Sequence, residues 1–299
     1  MPRTLTLIRH GESESNAVKR AAEKGHPHPN EKMLMETHTS QRRLTDRGIT
    51  QAKNAGLWLR RYIQRGYEQR DKGRPYSKAR SFLAPYVRLK GFVSPYARAM
   101  ETAAHLDLPI TWKVDARLAE RNWGDLDELT YEERIAKYGK IDNRARHGIF
   151  WPAGNGETLH ALSTRMWQHF NMLTRKHSED DVIEVSHGET MLTQRFMLER
   201  WLPEDVVRMM LATDSVLARE VSGQDTDWQN KIINCRIIQY SREDESGVWY
   251  EKYCRVRMID PSDPNNPKKN VDWKPIVRKD FLTDDLFDYV EQFPRILQE

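Results

Sequence analysis

Two cysteines, Cys235 and Cys254, are all the thiol chemistry this chain of 299 residues offers. Neither has a partner at the spacing of a metal-binding pair, which speaks against a structural zinc site, and both read as core or edge thiols in a reducing compartment. Long apolar runs are missing too. Val182 to Val185 and Ile232-Ile233 are among the longest, far short of the roughly 20 residues that a bilayer-crossing helix needs. The chain enters an apolar run almost at once, at Leu5, leaving no room for a signal peptide and setting the expectation of a soluble, cytoplasmic protein. There is no internal repeat and no low-complexity tract. What is present suffices for a full core: 38% hydrophobic residues over this length can bury one large domain, with or without appendages.

Two strand-like runs end in the same dipeptide. Thr6-Leu-Ile-Arg-His10-Gly-Glu opens the chain, and Val182-Ile-Glu-Val-Ser-His187-Gly-Glu-Thr190 repeats the pattern far downstream. A histidine delivered by a strand onto a glycine-containing loop has its ring held in place while the small neighbour lets backbone approach a ligand. Such an arrangement suits nucleophilic chemistry on phosphorus if other residues add positive charge and a proton. Arg98, in Ser94-Pro-Tyr-Ala-Arg98-Ala-Met-Glu-Thr102-Ala, lies just past the apolar run Gly91-Phe-Val93, and Glu120 sits in the turn-prone Leu118-Ala-Glu120-Arg-Asn-Trp-Gly124.

Strand and helix signals alternate along the chain. Strands are predicted at Leu5 to Ile8, Phe92-Val93, Ile110 to Val114 and from Val182. Thr45 reads as the N-cap of a helix through Tyr62, and further helices are predicted around Tyr131 to Tyr138, from about Glu157 to His177, over Met191 to Trp201 and from Glu204. The segment Lys24 to Arg43 reads as a long loop, partly helical at Met33 to Glu36. This alternation implies an α/β fold, a doubly wound and mostly parallel sheet with helices on both faces. Ligands then sit at the carboxyl ends of strands, where His10, Arg98 and His187 all fall. Toward the C-terminus, Ile232 to Tyr240 and Val248 to Met258 alternate as strands around a hairpin turn at Glu245-Ser-Gly247. Asp260 to Pro267 is too rich in proline for regular structure, and Leu286, Phe287, Val290 and Phe293 mark an amphipathic helix expected to dock. The division expected is an α/β domain over residues 1–242 and a C-terminal extension over 243–299.

Charge is uneven. The formal net charge is +4, yet Arg60 to Lys90 holds ten basic residues against Glu68 and Asp71. The stretch reads either as a solvated face or as a patch that steers an anionic ligand. It matches no nucleic-acid recognition motif. His26, His28 and His38 lack a carboxylate or cysteine to complete a metal site and read as a solvated loop; no metal is expected. Trp167, at helical spacing from Leu162 and Phe170, reads as core, Trp123 as a pocket wall, and Glu157 as a helix cap.

The ordered set Arg9-His10-Gly-Glu, Leu44-Thr-Asp-Arg-Gly48 with Gln51-Ala52, Ser94-Pro with Arg98-Ala and Glu101-Thr-Ala, Leu118 with Glu120 and Gly124, and Val185-Ser-His187-Gly resembles the histidine phosphatase superfamily, also called the phosphoglycerate mutase-like family. The resemblance spans roughly residues 4 to 240. It implies a phosphorylated small-molecule substrate and His10 as nucleophile, forming a phosphohistidine. Arg9, Arg98, His187, the Gly188 amide and Asn16 would hold the phosphoryl group, and Glu120 would donate the proton. Asn16 could instead cap a helix, and Asp125, Asp127 and Glu128 lie near enough to compete with Glu120. The activity implied is metal-independent phosphomonoester hydrolysis without a cofactor. A phosphoglycerate mutase, using 2,3-bisphosphoglycerate, is the alternative, weakened because Asn122-Trp123 replaces the mutases' His-Tyr pair. A phospho-ligand binding module without turnover is the third reading.

Overall fold

Alternation in the first strand decides the layering: Leu5 and Leu7 face one core, and Ile8 faces another on the opposite side of the sheet. The computed structural model describes residues 1–70, 86, 88–138, 147–213, 226–278 and 280–293. Its strands are β1 (Thr4–Arg9), β2 (Leu89–Val93), β3 (Trp112–Val114), β4 (Asp181–Ser186), β5 (Ile237–Ser241), β6 (Arg255–Ile259) and β7 (Val271–Pro275). They form one sheet in the order β3-β2-β4-β1-β5-β6-β7. The first four strands are mutually parallel, and β5, β6 and β7 are added antiparallel, each to the one before. The fold is the expected α/β arrangement, with a parallel half and an antiparallel half at the C-terminal edge.

The helices are α1 (Glu14–Glu23), α2 (Glu31–Glu36), α3 (Asp46–Arg70), α4 (Ala97–His105), α5 (Tyr131–Tyr138), α6 (Leu159–Lys176), α7 (Gly188–Glu199), α8 (Pro203–Thr213) and α9 (Thr283–Glu291). On one face α6 and α7 bury Leu162, Met166, Phe170 and Met191 against Leu5, Leu7 and Val182. On the other, α3 and α4 bury Ala52, Ala55, Leu59 and Ala103 against Ile8, Ile183 and Val185. Thr45 caps α3 as expected, its hydroxyl accepting from the Gly48 amide at 3.1 Å.

Four sequence expectations need correction. The predicted strand from Ile232 begins only at Ile237, because Cys235 takes φ 57° in a tight turn that turns its amide onto the carbonyls of Arg9 and His10. The strand predicted from Val248 begins at Arg255; the turn at Glu245-Ser-Gly247 forms around the Asp244 carboxylate and closes only a single bridge, Glu243 to Trp249. The terminal helix α9 exists, but no residue of it is buried and Phe287 is 67% exposed. Helical periodicity gives a stripe without saying what covers it. Strand β7, Val271-Asp-Trp-Lys-Pro275, was not predicted; its alternation is only five residues long and none of them is buried. Trp167, expected in the core, is exposed on α6.

Beneath the sheet lies a buried charge cluster. His169 bonds Asp115 through Nδ1 at 2.9 Å and Glu184 through Nε2 at 2.7 Å, and Gln194 donates to the second Glu184 oxygen at 2.6 Å. Burial opposes a charge on His169, but the two carboxylates outweigh it and raise its pKa to about 9. Both ring nitrogens therefore donate. Replacing His169 by leucine should destabilise the fold by about 3–5 kcal/mol, because two buried carboxylates lose their shared cation. In the wild type the cluster's contribution should be complete below the ordinary histidine value, about 6.5, and disappear as pH rises through about 9. Urea unfolding at pH 6, 7.5 and 9 checks both.

Candidate active site

Strand ends bring the expected residues together. β1 and β4 are parallel neighbours, with Arg9 in register with Ser186, so His10 and His187 leave the sheet side by side, their ring centroids 5.1 Å apart. β2 lies on the other side of β4 and launches Ser94 and then Arg98 on α4. The loop after β1 is packed so tightly on the start of α3 that a Cβ on Gly11 would meet the Gly48 carbonyl oxygen at 2.4 Å, and one on Gly48 would meet that of Glu12 at 2.1 Å. Only glycine permits that approach. The other motif residues fasten this junction. Gln51 accepts from the Glu12 amide at 2.8 Å, Thr102 accepts from the Gly11 amide at 3.0 Å, and Glu101 accepts from the Leu44 amide at 2.8 Å.

His10 is 2% exposed and its tautomer follows from its partners. Nδ1 lies 2.6 Å from the Gly11 carbonyl, which can only accept, so Nδ1 carries the proton. Nε2 then holds the lone pair, and the Nε–H of Arg98 points at it from 3.2 Å. Burial, with Arg98 and Arg9 adding to it, holds the His10 pKa well below its ordinary value. A neutral imidazole with a fixed lone pair is a nucleophile in waiting. Arg98 is steadied by donating to the Thr39 carbonyl at 2.6 Å and by lying over the Tyr96 ring, and Arg9 by donating to the Ile232 carbonyl at 2.6 Å. The buried Nε of Arg9 has no hydrogen-bond partner among the described residues.

His187 is wholly buried as the N-cap of α7, with Gly188 following it against the Arg9 guanidinium. Asn16 takes part in the helix cap anticipated for it and also faces the cavity. Its Oδ1 accepts from the Ser13 amide, completing the N-terminal cap of α1, and from Asn234 at 3.0 Å. Asn234 gave no sequence signal; it also donates to the His10 carbonyl at 3.1 Å. Thr102 could have been found, since it stands four residues after Arg98 on the same helical face.

Glu120 is half-buried on the cavity wall, and its Oε1 accepts from the Arg121 amide at 2.9 Å. Burial raises its pKa to about 7, against the pull of Arg98. The carboxyl can thus give up or take a proton near neutrality. Its loop is pinned by two arginines. Arg121 lies between Trp123 and Trp151 and donates to the carbonyls of Trp151 and Glu157, each at 2.7 Å. Arg165 donates to the Ala119 carbonyl and to the Glu157 carboxylate. Glu157 therefore orders the pocket, whereas Thr158 caps α6, correcting the sequence expectation. Gly124, at φ 54°, allows the loop to touch the Gly154 carbonyl.

Arg9, His10, Asn16, Arg98, Glu120 and Gly188 line a cavity of about 680 Å³, whereas His187, wholly buried, is not on its wall. Asp127 faces the cavity together with Arg42, Arg134 and Trp123, and burial raises the Asp127 pKa. Asp125 and Glu128, the other carboxylates that compete with Glu120, are not on the cavity wall; Asp125 accepts from Lys137 at 3.1 Å. Most of the basic stretch, residues 71–85 and 87, lies outside the described residues. No group of three or more metal-ligating side chains occurs among the described residues, and no helix among them is long and apolar enough to cross a membrane.

Comparison with known proteins shows the family. A sequence model of the histidine phosphatase superfamily (branch 1) matches residues 63–235, more than half of the chain, and the chain belongs to that superfamily. Relatives include the 2,3-bisphosphoglycerate-dependent phosphoglycerate mutase of Bartonella bacilliformis, 26% identical over 243 residues that cover 78% of this chain and 99% of the mutase. The mutase of the same description from Brucella ovis is 25% identical, covering 78% and 100%. Among solved structures, a mycobacterial glucosyl-3-phosphoglycerate phosphatase complexed with VO3 superposes with TM-score 0.53 at 18% identity, over 80% of this chain and 92% of that one. Phosphoserine phosphatase from Entamoeba histolytica, in complex with 3-phosphoglyceric acid, gives 0.50 at 17% identity over 89% and 98%. The structural likenesses show the fold; the superfamily's phosphatases and mutases act on phosphate esters.

Proposed function

We propose that the chain is a metal-independent phosphomonoester hydrolase that works through a phosphohistidine on His10. The observation that carries this reading is the locked tautomer of His10, with the Arg98 Nε–H aimed at its Nε2 lone pair. In the first half-reaction Nε2 forms a bond to phosphorus as the ester P–O bond breaks, and the Glu120 carboxyl hands its proton to the departing oxygen. Arg98 Nε, which holds Nε2 in the free protein, turns its hydrogen to a phosphoryl oxygen. In the second half-reaction water attacks phosphorus, the Glu120 carboxylate takes the proton, and the N–P bond breaks to return the lone pair to Nε2 and release inorganic phosphate. Arg9, Arg98, His187, Asn16 and the Gly188 amide stabilise the spread charge throughout.

The mutase reading has the relatives from Bartonella and Brucella in its favour. Against it, Asn122-Trp123 stands where the motif of the cofactor-dependent mutases has His-Tyr; here Asn122 accepts from the Gly124 amide and Trp123 lines the cavity. A binding module would have no use for a proton donor poised near neutrality. Phosphate release from a panel of phosphomonoesters, with phosphoglycerates assayed for isomerisation with and without 2,3-bisphosphoglycerate, separates the three. Hydrolysis without isomerisation is expected. With arginines supplying the positive charge, dialysis against a chelator should leave the rate unchanged, and a loss restored by one divalent metal would refute metal independence.

A further inference from the structure

Ser94 and His187 meet where β2 and β4 end, with Oγ and Nε2 2.7 Å apart and neither residue exposed. The proton between them could run either way. Ser94 Oγ already accepts from the Tyr96 amide at 3.3 Å. If His187 Nε2 also donated to it, the Ser94 hydroxyl hydrogen would need an acceptor, and among the described residues none is found apart from that ring nitrogen. His187 Nδ1 would at the same moment be a buried acceptor without a donor. Two buried polar groups would be orphaned, each bearing its full desolvation penalty. With the proton on the serine instead, Ser94 donates to Nε2 and is fully used. One group then remains over, an N–H on His187 Nδ1.

That single leftover is a donor beside the phosphoryl site. The ring lies 5.1 Å from the ring of His10, and the next residue, Gly188, lines the cavity. Burial, then Arg98, His10 and Arg9, keep His187 well below the ordinary histidine pKa, so the ring is neutral and carries one proton only.

We infer that Ser94 is a positioning residue that fixes His187 in its Nδ1-protonated tautomer and so makes it a neutral hydrogen-bond donor to the phosphoryl group. The tautomer rests on the hydrogen-bond geometry and on the neutrality that burial imposes; the donor role rests on the phosphatase reading. Both histidines then carry their proton on Nδ1 for opposite ends. His10 does so to free its Nε2 lone pair, and His187 does so to present the proton itself.

The test is a two-bond proton–nitrogen correlation spectrum of the imidazoles in uniformly ¹⁵N-labelled protein, with His187 assigned by its loss in His187→Asn. The wild type should show a protonated Nδ1 and a lone-pair Nε2 at His187. Ser94→Ala should shift population toward the Nε2-protonated form and weaken binding of inorganic orthophosphate about tenfold, the effect of one hydrogen bond to a charged group. Ser94→Thr, which keeps the hydroxyl, should restore both. A wild-type His187 protonated on Nε2 overturns the inference even if Ser94→Ala fails to fold, and so does an unchanged tautomer in that variant. Unaltered orthophosphate affinity in a Ser94→Ala protein whose tautomer has shifted overturns the donor role. None of these readings needs turnover, so a failed activity screen would sink the proposed function and leave the tautomer standing.

Discussion

His10→Ala is expected to lose phosphomonoester turnover by about 10⁴-fold or more, since a residue that forms the covalent intermediate has no substitute in the site. Its Nε2 is held for in-line attack by the Gly11 carbonyl on the far side of the ring and by Arg98 in front, so the variant removes position as well as the lone pair. Unfolding curves should remain cooperative, which separates a chemical loss from a structural one. In the wild type, rapid alkaline quench, which preserves the acid-labile nitrogen–phosphorus bond, should trap a labelled phosphoenzyme that maps to His10. Near wild-type turnover in the variant would end the phosphohistidine mechanism.

Glu120→Gln is expected to slow alkyl phosphates by about 10²–10⁴-fold, the range of general acid catalysis, and activated aryl phosphates far less. A poor leaving group needs the proton; a good one departs without it. The pH dependence has a definite sign. Burial raises the carboxyl to about 7, so the proton-donating form is complete below that pH, and the rate of the first half-reaction on alkyl esters should fall as pH rises through it. The glutamine variant should lose this alkaline limb. Equal losses on both substrate classes would move the role elsewhere, and the structure changes the next candidate from Asp125 to Asp127. Asp127 is on the cavity wall with a raised pKa, whereas Asp125 is engaged with Lys137.

Much of this was legible because the information is local. Apolar alternation marks β1 and β4, and the His-Gly pairs mark their carboxyl ends, where parallel sheets place ligands. Thr45 announces the helix it caps. Elements whose partners are distant were less legible. Strand β7 has an exposed edge pattern and exists because β6 offers it hydrogen bonds. The apolar stripe of α9 is correct as a stripe but is not buried by the described residues. Cys235 breaks the predicted strand because its amide is drawn to the carbonyls of Arg9 and His10, more than two hundred residues earlier.

By itself, then, the sequence determined the α/β alternation and which side chains fall at the carboxyl ends of the parallel strands, since strand and helix periods and residue types are properties of short segments. Only the tertiary structure decided the protonation of that site: the proton on His10 Nδ1 set by a neighbouring carbonyl, the Glu120 carboxyl raised to about 7 by burial, and the Ser94 hydroxyl brought from β2 to His187 at the end of β4. Desolvation and hydrogen-bond direction depend on which groups surround an atom in space, and no spacing along the chain encodes them.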